Sequence, residues 1–330
     1  MSSERTTVRS AAVTAAGGGA APAVSVIIPA YGVAQYIAAT LDSVFAQAFR
    51  DFEVIVVNDG CPGSAALEAA LSPYRERIVY IRKTNGGVAS ARNAGIRAAR
   101  APLIALLDGD DAWLPDFLAV QTDYLRSHPH TDIVYCDGTI FGDTPLAGRT
   151  LMEFSPSRGE VTFESLLSLR CTVILTSVVA RKQAILAVGG FDESLRRAED
   201  FELWLRAAHA GARISYHRRA LFRYCQRATG LSADGIAMRE AGLLAFDKVE
   251  RTLQLSASEQ AALANGRHVV RADISYFRMK DAMRGRDARM ALAAVSELLR
   301  LRWTVKFGLL AFALRWAPRL MMSVAHWRDQ

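Results

Sequence analysis

"VSVIIPAYGVAQYIAATLDSVFAQAFRDFEVIVVNDG", residues 24–60, decides the fold. Its first seven residues are a β-branched run that stops at Pro29-Ala30. Ile37, Leu41, Val44, Phe45 and Ala48 then recur at helical spacing, which predicts a helix over 36–48 with one apolar face. Residues 52–60 return to an unbroken apolar run that ends in Asn58-Asp59-Gly60. Strands that are continuously apolar, instead of alternating, belong to a parallel sheet with helices on both faces.

Working outward, "IVYIR" (78–82), "LIALL" (103–107) and "DIVYC" (132–136) read as further strands, and "GGVASARNAGIRAAR" (86–100) as an intervening helix. Residues 24–136 are therefore expected to form an α/β domain with a mostly parallel sheet. Ligands of such sheets gather outside the carboxyl ends of the strands. The tips there are Pro29-Ala30-Tyr31, Asn58-Asp59-Gly60, Asn85-Gly86-Gly87 and Asp108-Gly109-Asp110-Asp111. Taken singly, each is ordinary turn or helix-start chemistry. Together they would face one crevice.

The last tip crowds three carboxylates into four positions at the end of a buried strand, where unpaired charge is expensive. A hard divalent cation, magnesium or manganese, takes oxygen ligands and is typically shared between one or two carboxylates and substrate phosphates. Arg92 lies on the helix that starts near Gly86-Gly87, and a glycine-rich helix start offers backbone N–H groups to an anion. Metal, helix start and arginine together suit a diphosphate. No G-x-x-x-x-G-K-[ST] loop is present, and the only "GGG" run, at 17–19, precedes the first strand, which argues against a P-loop enzyme or a dinucleotide oxidoreductase.

The 330 residues, 51% of them hydrophobic, provide for a large core. Cys61, Cys136, Cys171 and Cys225 stand far apart, so neither a zinc site nor a disulfide framework is indicated, and a reducing, cytoplasmic setting fits. The net charge is +7, with arginines dense over 196–227 and through the last hundred residues, yet no nucleic-acid-binding signature accompanies it. Residues 1–22, including most of "AAVTAAGGGAAPA", lack the pattern of a signal peptide and read as a flexible leader outside the fold.

"VSVIIPAYG", "VIVVNDG", "NGGVASARNAGI" and "LLDGDDAWLP", in this order and spacing, resemble the nucleotide-sugar-binding half of glycosyltransferase family 2, which has the GT-A fold. The resemblance implies a Rossmann-like α/β domain over 23–235, with a nucleotide-sugar half (23–118) and an acceptor half (119–235). It further implies an inverting transfer from a nucleoside-diphosphate sugar, a UDP-sugar being favoured, to a glycan or lipid-linked hydroxyl in cell-surface polysaccharide or glycolipid assembly. Pro29, Ala30 and Tyr31 would line the nucleoside pocket, Asp59 would bind the base, and Asn85, Gly86, Gly87 and Arg92 would complete the donor site. Asp108 and Asp110 would be the D-x-D element, Asp108 near the ribose and Asp110 on a divalent manganese or magnesium. Cys61-Pro62 departs from the family's usual serine at the tip after Asp59.

For the acceptor half, "GGFDE" followed by "ED" and "LWLR" (189–206) resembles the segment that carries the catalytic base, which maps to Asp200 with Glu199 in support. Acidic residues in a first helical turn are also simply stabilised by the helix dipole. A non-catalytic nucleotide-sugar-binding scaffold is the alternative. Sugar-nucleotide synthesis shares the sheet, but its glycine-rich signature after the first strand is missing. Residues 213–232 suggest two short strands and a basic loop from which Arg223 or Arg227 would reach the diphosphate.

Residues 236–330 read as a helical extension. Its longest uninterrupted apolar run, Phe307 to Leu314, is far shorter than the roughly 20 residues of a spanning helix. Two expectations stay open for 300–330: docking onto the body of the protein, or peripheral contact with the membrane surface.

Overall fold

The computed structural model describes residues 7–10, 21–227, 230 and 234–325, and the chain divides into two compact units, 1–229 and 230–330. The first unit opens with β1 (Thr7–Ser10), β2 (Val24–Ala30), α1 (Ile37–Phe45), β3 (Phe52–Asp59), α2 (Ser64–Leu71), β4 (Val79–Lys83) and α3 (Val88–Ala98). It continues through β5 (Leu103–Leu106), β6 (Ala112–Trp113), α4 (Phe117–Ser127), β7 (Ile133–Phe141) and α5 (Phe163–Leu167). It ends with β8 (Val179–Arg181), α6 (Lys182–Ala187), α7 (Glu199–His209) and β9 (Ile214–Cys225).

These strands form one sheet in the order β1-β4-β3-β2-β5-β8-β7-β9-β6. The ladders joining β4, β3, β2 and β5 are all parallel, and beyond β5 the sheet is mixed. Val24, Val26, Ile27 and Ile28 of β2 are fully buried because helices cover both faces. One face carries α1 and α4 through Leu41, Val44, Phe117 and Leu118. On the other, α3 lies so close to β2 that a Cβ at Gly95 would come within 2.5 Å of Ile27 Cγ2.

From β2 the chain runs outward through β3 and β4, and α3 then carries it back to β5 on the other flank of β2. The order reverses at β2, so the crevice outside the carboxyl ends of β2 and β5 is the topological switch point, where α/β sheets hold ligands.

Two elements differ from expectation. Thr7–Ser10, inside the stretch read as leader, is a strand that pairs antiparallel with β4, from Thr7↔Arg82 to Ser10↔Val79. It supplies backbone partners to what would otherwise be an open sheet edge. The remainder of the leader, save Ala21 and Pro22, lies outside the described residues. Where two short strands were expected after α7, β9 is a single strand with a bulge: Cys136 pairs with His217, but Asp137 pairs with Ala220. The basic Arg218-Arg219 that interrupts the apolar pattern falls in this bulge.

The second unit is helical: α8 (Gly235–Thr252), α9 (Ala257–Arg284), α10 (Ala288–Leu301), α11 (Val305–Trp316) and α12 (Pro318–Ala325). Ser256 and Glu259 form a reciprocal capping box at the start of α9. Val295, Leu298 and Leu314 bury into a small core of their own with Ala291 and Met279. Pro318 ends the α11 run and begins α12, a first-turn position where its missing N–H costs nothing. No helix among the described residues is long and apolar enough to cross a membrane.

Candidate active site

The four expected tips adjoin one another. Gly32 N donates to Cys61 Sγ (3.3 Å), and Cys61 N to Asn58 Oδ1 (3.0 Å), which ties the ends of β2 and β3 together. The cysteine that departs from the family pattern thus serves as an acceptor for the neighbouring tip. A Cβ at Gly60, whose φ is +64°, would meet Asn85 N at 2.6 Å, and one at Gly109 would meet Pro29 O at 3.1 Å. Ala30 is buried beneath this crevice, Asn85 is exposed, and Tyr31 stands open with half its surface free.

Asp59 is buried, and its carboxylate is occupied. Oδ1 accepts from Lys83 Nζ (2.7 Å) and Gly86 N (3.0 Å), and Oδ2 from Gly87 N (2.8 Å). The anion at the start of α3 is therefore a side chain of the protein itself, and it pins the Asn85-Gly86-Gly87 turn. Gly87 sits at φ +90°, which this turn needs and a side chain would resist.

Arg92, expected at the diphosphate, is instead buried between protein carboxylates. Nη1 donates to Glu199 Oε1 (2.5 Å) and Nη2 to Asp108 Oδ1 (2.7 Å). Its Nε has no partner among the described residues. Burial pulls the guanidinium pKa down, but Asp108 and Glu199 outweigh it and the net direction is up, so Arg92 stays charged. Asp108 is further held through its N–H, which donates to Thr176 Oγ1 (3.0 Å).

Asp110 and Asp111 are resolved by different means. Asp111 turns into the protein, where Oδ1 accepts from Cys225 N (2.7 Å); burial, then Asp108 and Asp110, push its pKa well up. Asp110 keeps some exposure and is paired with Arg227, whose guanidinium also lies over the Tyr36 ring at 4.7 Å. Burial and the Asp108 charge raise the Asp110 pKa despite Arg227. Arg223, the other arginine considered for the diphosphate, stacks over Phe141 at 4.8 Å.

Among the described residues no three His, Cys, Asp or Glu side chains are arranged to hold a metal ion. The donor set nevertheless suits a hard cation that brings its other ligands with it: the Asp110 carboxylate keeps some exposure at the crevice, and Arg227 is paired with it.

α7 starts from Ala198 in the left-handed region, φ 57° and ψ 22°. A non-glycine residue there is strained, and the geometry swings Glu199 and Asp200 toward Arg92. The approach is stapled from α3: Phe191 N donates to Asn93 Oδ1 (2.9 Å), and Asn93 Nδ2 donates to Phe191 O (2.8 Å) and Glu193 Oε1 (2.9 Å). Arg206 grips Glu202 with two bonds (2.6 and 2.7 Å) and Gly190 O (2.7 Å) from the next turn. Asp200 Oδ1 accepts from Phe201 N (2.8 Å). Burial, then the Glu199 charge, raise the Asp200 pKa to about 7, with Arg92 opposing.

Residues 25–184 match the family model "Glycosyl transferase family 2". The chain carries a glycosyltransferase family 2 domain. An uncharacterized glycosyltransferase of Rickettsia prowazekii (strain Madrid E) is 31% identical over 192 residues, covering 56% of this chain and 58% of that protein. One from Methanocaldococcus jannaschii is 28% identical over 196 residues, 56% of this chain and 64% of its own. The chain thus spans little more than half the length of its Rickettsia relative. Among solved structures, S. aureus TarS in complex with UDP-GlcNAc superposes with a TM-score of 0.62 at 19% identity, covering 92% of this chain and 89% of that one. The mannosyltransferase PcManGT from Pyrobaculum calidifontis, in complex with GDP-Man and Mn2+, gives 0.63 at 18%, covering 94% and 88%. At these identities the likeness is one of fold, the GT-A type.

The structure gathers Pro29, Tyr31, Asp59, Asn85, Gly86, Gly87, Asp108 and Asp110 at the carboxyl ends of the parallel strands, and Arg92 joins Glu199, the neighbour of Asp200, to Asp108. Sequence reasoning missed Asn93, Thr176 and Arg206 as the residues that hold the Glu199-Asp200 segment and the carboxylate tip. Asn93 alone had a signal, since it directly follows Arg92 on the same helix.

Proposed function

We propose that this chain is a glycosyltransferase that moves a sugar from a nucleoside-diphosphate sugar to an acceptor hydroxyl with inversion at the anomeric carbon. The observation that supports this most is the Asp108–Arg92–Glu199 bridge, which ties the residue next to Asp200 to the carboxylate tip after β5. The family match and the GT-A fold support the reading, as do solved neighbours that hold UDP-GlcNAc and GDP-Man. A UDP-sugar is the favoured donor, and a glycan or lipid-linked hydroxyl in cell-surface polysaccharide or glycolipid assembly the acceptor.

In this reading Pro29, Ala30, Tyr31 and Asp59 shape the nucleoside pocket, with Asp59 acting partly by fixing the glycine turn. Asp200 takes the acceptor's proton as the oxygen attacks the anomeric carbon, while the bond from that carbon to the diphosphate oxygen breaks. General-base assistance of this kind is typically worth about 10²–10⁴-fold. Burial and then the Glu199 charge raise the Asp200 pKa, which makes its carboxylate a stronger base. Asp110 would hold a divalent manganese or magnesium, which when bound offsets negative charge on the diphosphate leaving group.

The test is incubation of the purified chain with a panel of nucleotide sugars and manganese, followed by release of nucleoside diphosphate with and without simple glycosides. Release from one donor, lost in Asp200→Asn, is expected. Donor binding with no release under any acceptor would favour the scaffold.

A further inference from the structure

Beside Met290 on α10 and Leu320 on α12, the most exposed large apolar side chains of the second unit lie on or next to one element. Val305, Leu309, Phe312 and Trp316 of α11 leave 62%, 65%, 65% and 70% of their surface open, and Trp303, just ahead of the helix, leaves 72%. At about 100° per residue, the four helical positions fall within an arc of about 60°. The opposite side of the same helix is occupied: Leu314 is buried, with Phe307, Leu310 and Ala311 packed against the core of the second unit. α11 thus carries apolar residues on two opposite sides, and only the inner one is packed, against the core of the second unit.

We propose that the outer face of α11 docks on an anionic lipid bilayer. Exposed Lys306 and Arg315 flank the stripe on either side, about 100° and 80° from Val305. Their stems can lie along the apolar stripe while the charges reach headgroups. Between Glu297 and Asp329 the sequence holds Lys and Arg but no acidic residue, so the charges of the segment that carries the stripe are all positive. Trp303 and Trp316 stand at the two ends, as residues of a water–lipid boundary do. A second copy of the chain fits poorly, since a two-fold contact would set these cations against themselves without a counter-charge.

The experiment is co-sedimentation of the full chain with vesicles of phosphatidylcholine alone and of phosphatidylcholine mixed with phosphatidylglycerol, at low and high salt. Binding to the mixed vesicles is expected to be about tenfold or more stronger than to neutral ones and to weaken with salt. The double variant Phe312→Ser/Trp316→Ser should lose about tenfold or more in binding at an unchanged melting temperature, because both side chains are already exposed. Leu244→Ser, at an exposed position on α8, should bind like the parent. If the double variant melts lower, Lys306→Gln/Arg315→Gln takes its place and should lose the preference for phosphatidylglycerol. Equal sedimentation with and without vesicles overturns the proposal, as does self-association that the double variant abolishes without any lipid binding. No nucleotide or sugar enters the assay, so its outcome is independent of the transfer reading.

Discussion

Asp200 and Arg92 are the two groups of opposite sign on which the proposed chemistry rests, Arg92 buried and Asp200 partly so. The Asp200 pKa is raised to about 7 by burial and then by Glu199, against about 4 in an unfolded chain. Between these values the native state binds the extra proton, so the contribution of Asp200 to stability is full below about pH 4 and is lost as pH rises toward 7. Asp200→Asn should flatten that fall in a series of melting curves from pH 4 to 8. In the same variant, transfer at saturating donor and acceptor should drop about 10²-fold or more while donor binding persists. Near-normal transfer would reject Asp200 as the base. Arg92 answers to a different measurement. Arg92→Met leaves the Asp108 and Glu199 carboxylates facing each other without their counter-charge, and breaking a buried pair in this way costs about 3–5 kcal/mol. Urea unfolding at pH 7 should show that loss, whereas a loss below about 1 kcal/mol would mark the bridge as no stronger than a surface pair.

At the scale of elements, α3 is the piece on which both halves of the site depend. Its start carries the Gly86-Gly87 turn held by Asp59, its middle carries Arg92 and Asn93, and its inner face meets β2 at Gly95. A methyl at Gly95 has nowhere to go, because Ile27 is fully buried and would stand 2.5 Å away. Gly95→Ala should therefore destabilise by about 1–3 kcal/mol, although alanine is the better helix former by about 1 kcal/mol. The helix would be pushed off the sheet, and with it Arg92, so donor binding should weaken together with the melting temperature. A stabilised Gly95→Ala protein would show that propensity outweighs the contact.

For the whole molecule, ligand linkage is the readout of the proposed metal. A ligand that binds only the native state stabilises by about 2.7 kcal/mol at a hundred times its Kd. UDP should thus raise the melting temperature by several degrees with manganese and by clearly less with a chelator. Asp110→Asn should erase the difference. Arg227 holds the same carboxylate, so Arg227→Gln should move the manganese titration midpoint to lower concentration. Equal stabilisation with and without metal would remove the cation from the mechanism.

Periodicity made the strand–helix–strand run of 24–60, the carboxyl-end tips and the helical second unit legible in the sequence, because burial of apolar faces is a local constraint with a fixed repeat. The family pattern reached Asp59, Asp108, Asp110 and Asp200 as chemical types in order along the chain. Which charges they meet was not legible there. Arg92 finds Glu199 107 residues away and Asp110 finds Arg227 117 residues away, and ion pairing across such separations depends on how the sheet folds back on itself. The strand at Thr7–Ser10 and the bulge in β9 likewise exist only against their partners, β4 and β7. The last segment shows the division most plainly: the sequence determined that α11 carries apolar residues on two opposite sides, and the packing of Leu314 against the core decided which of them remains free to meet a partner.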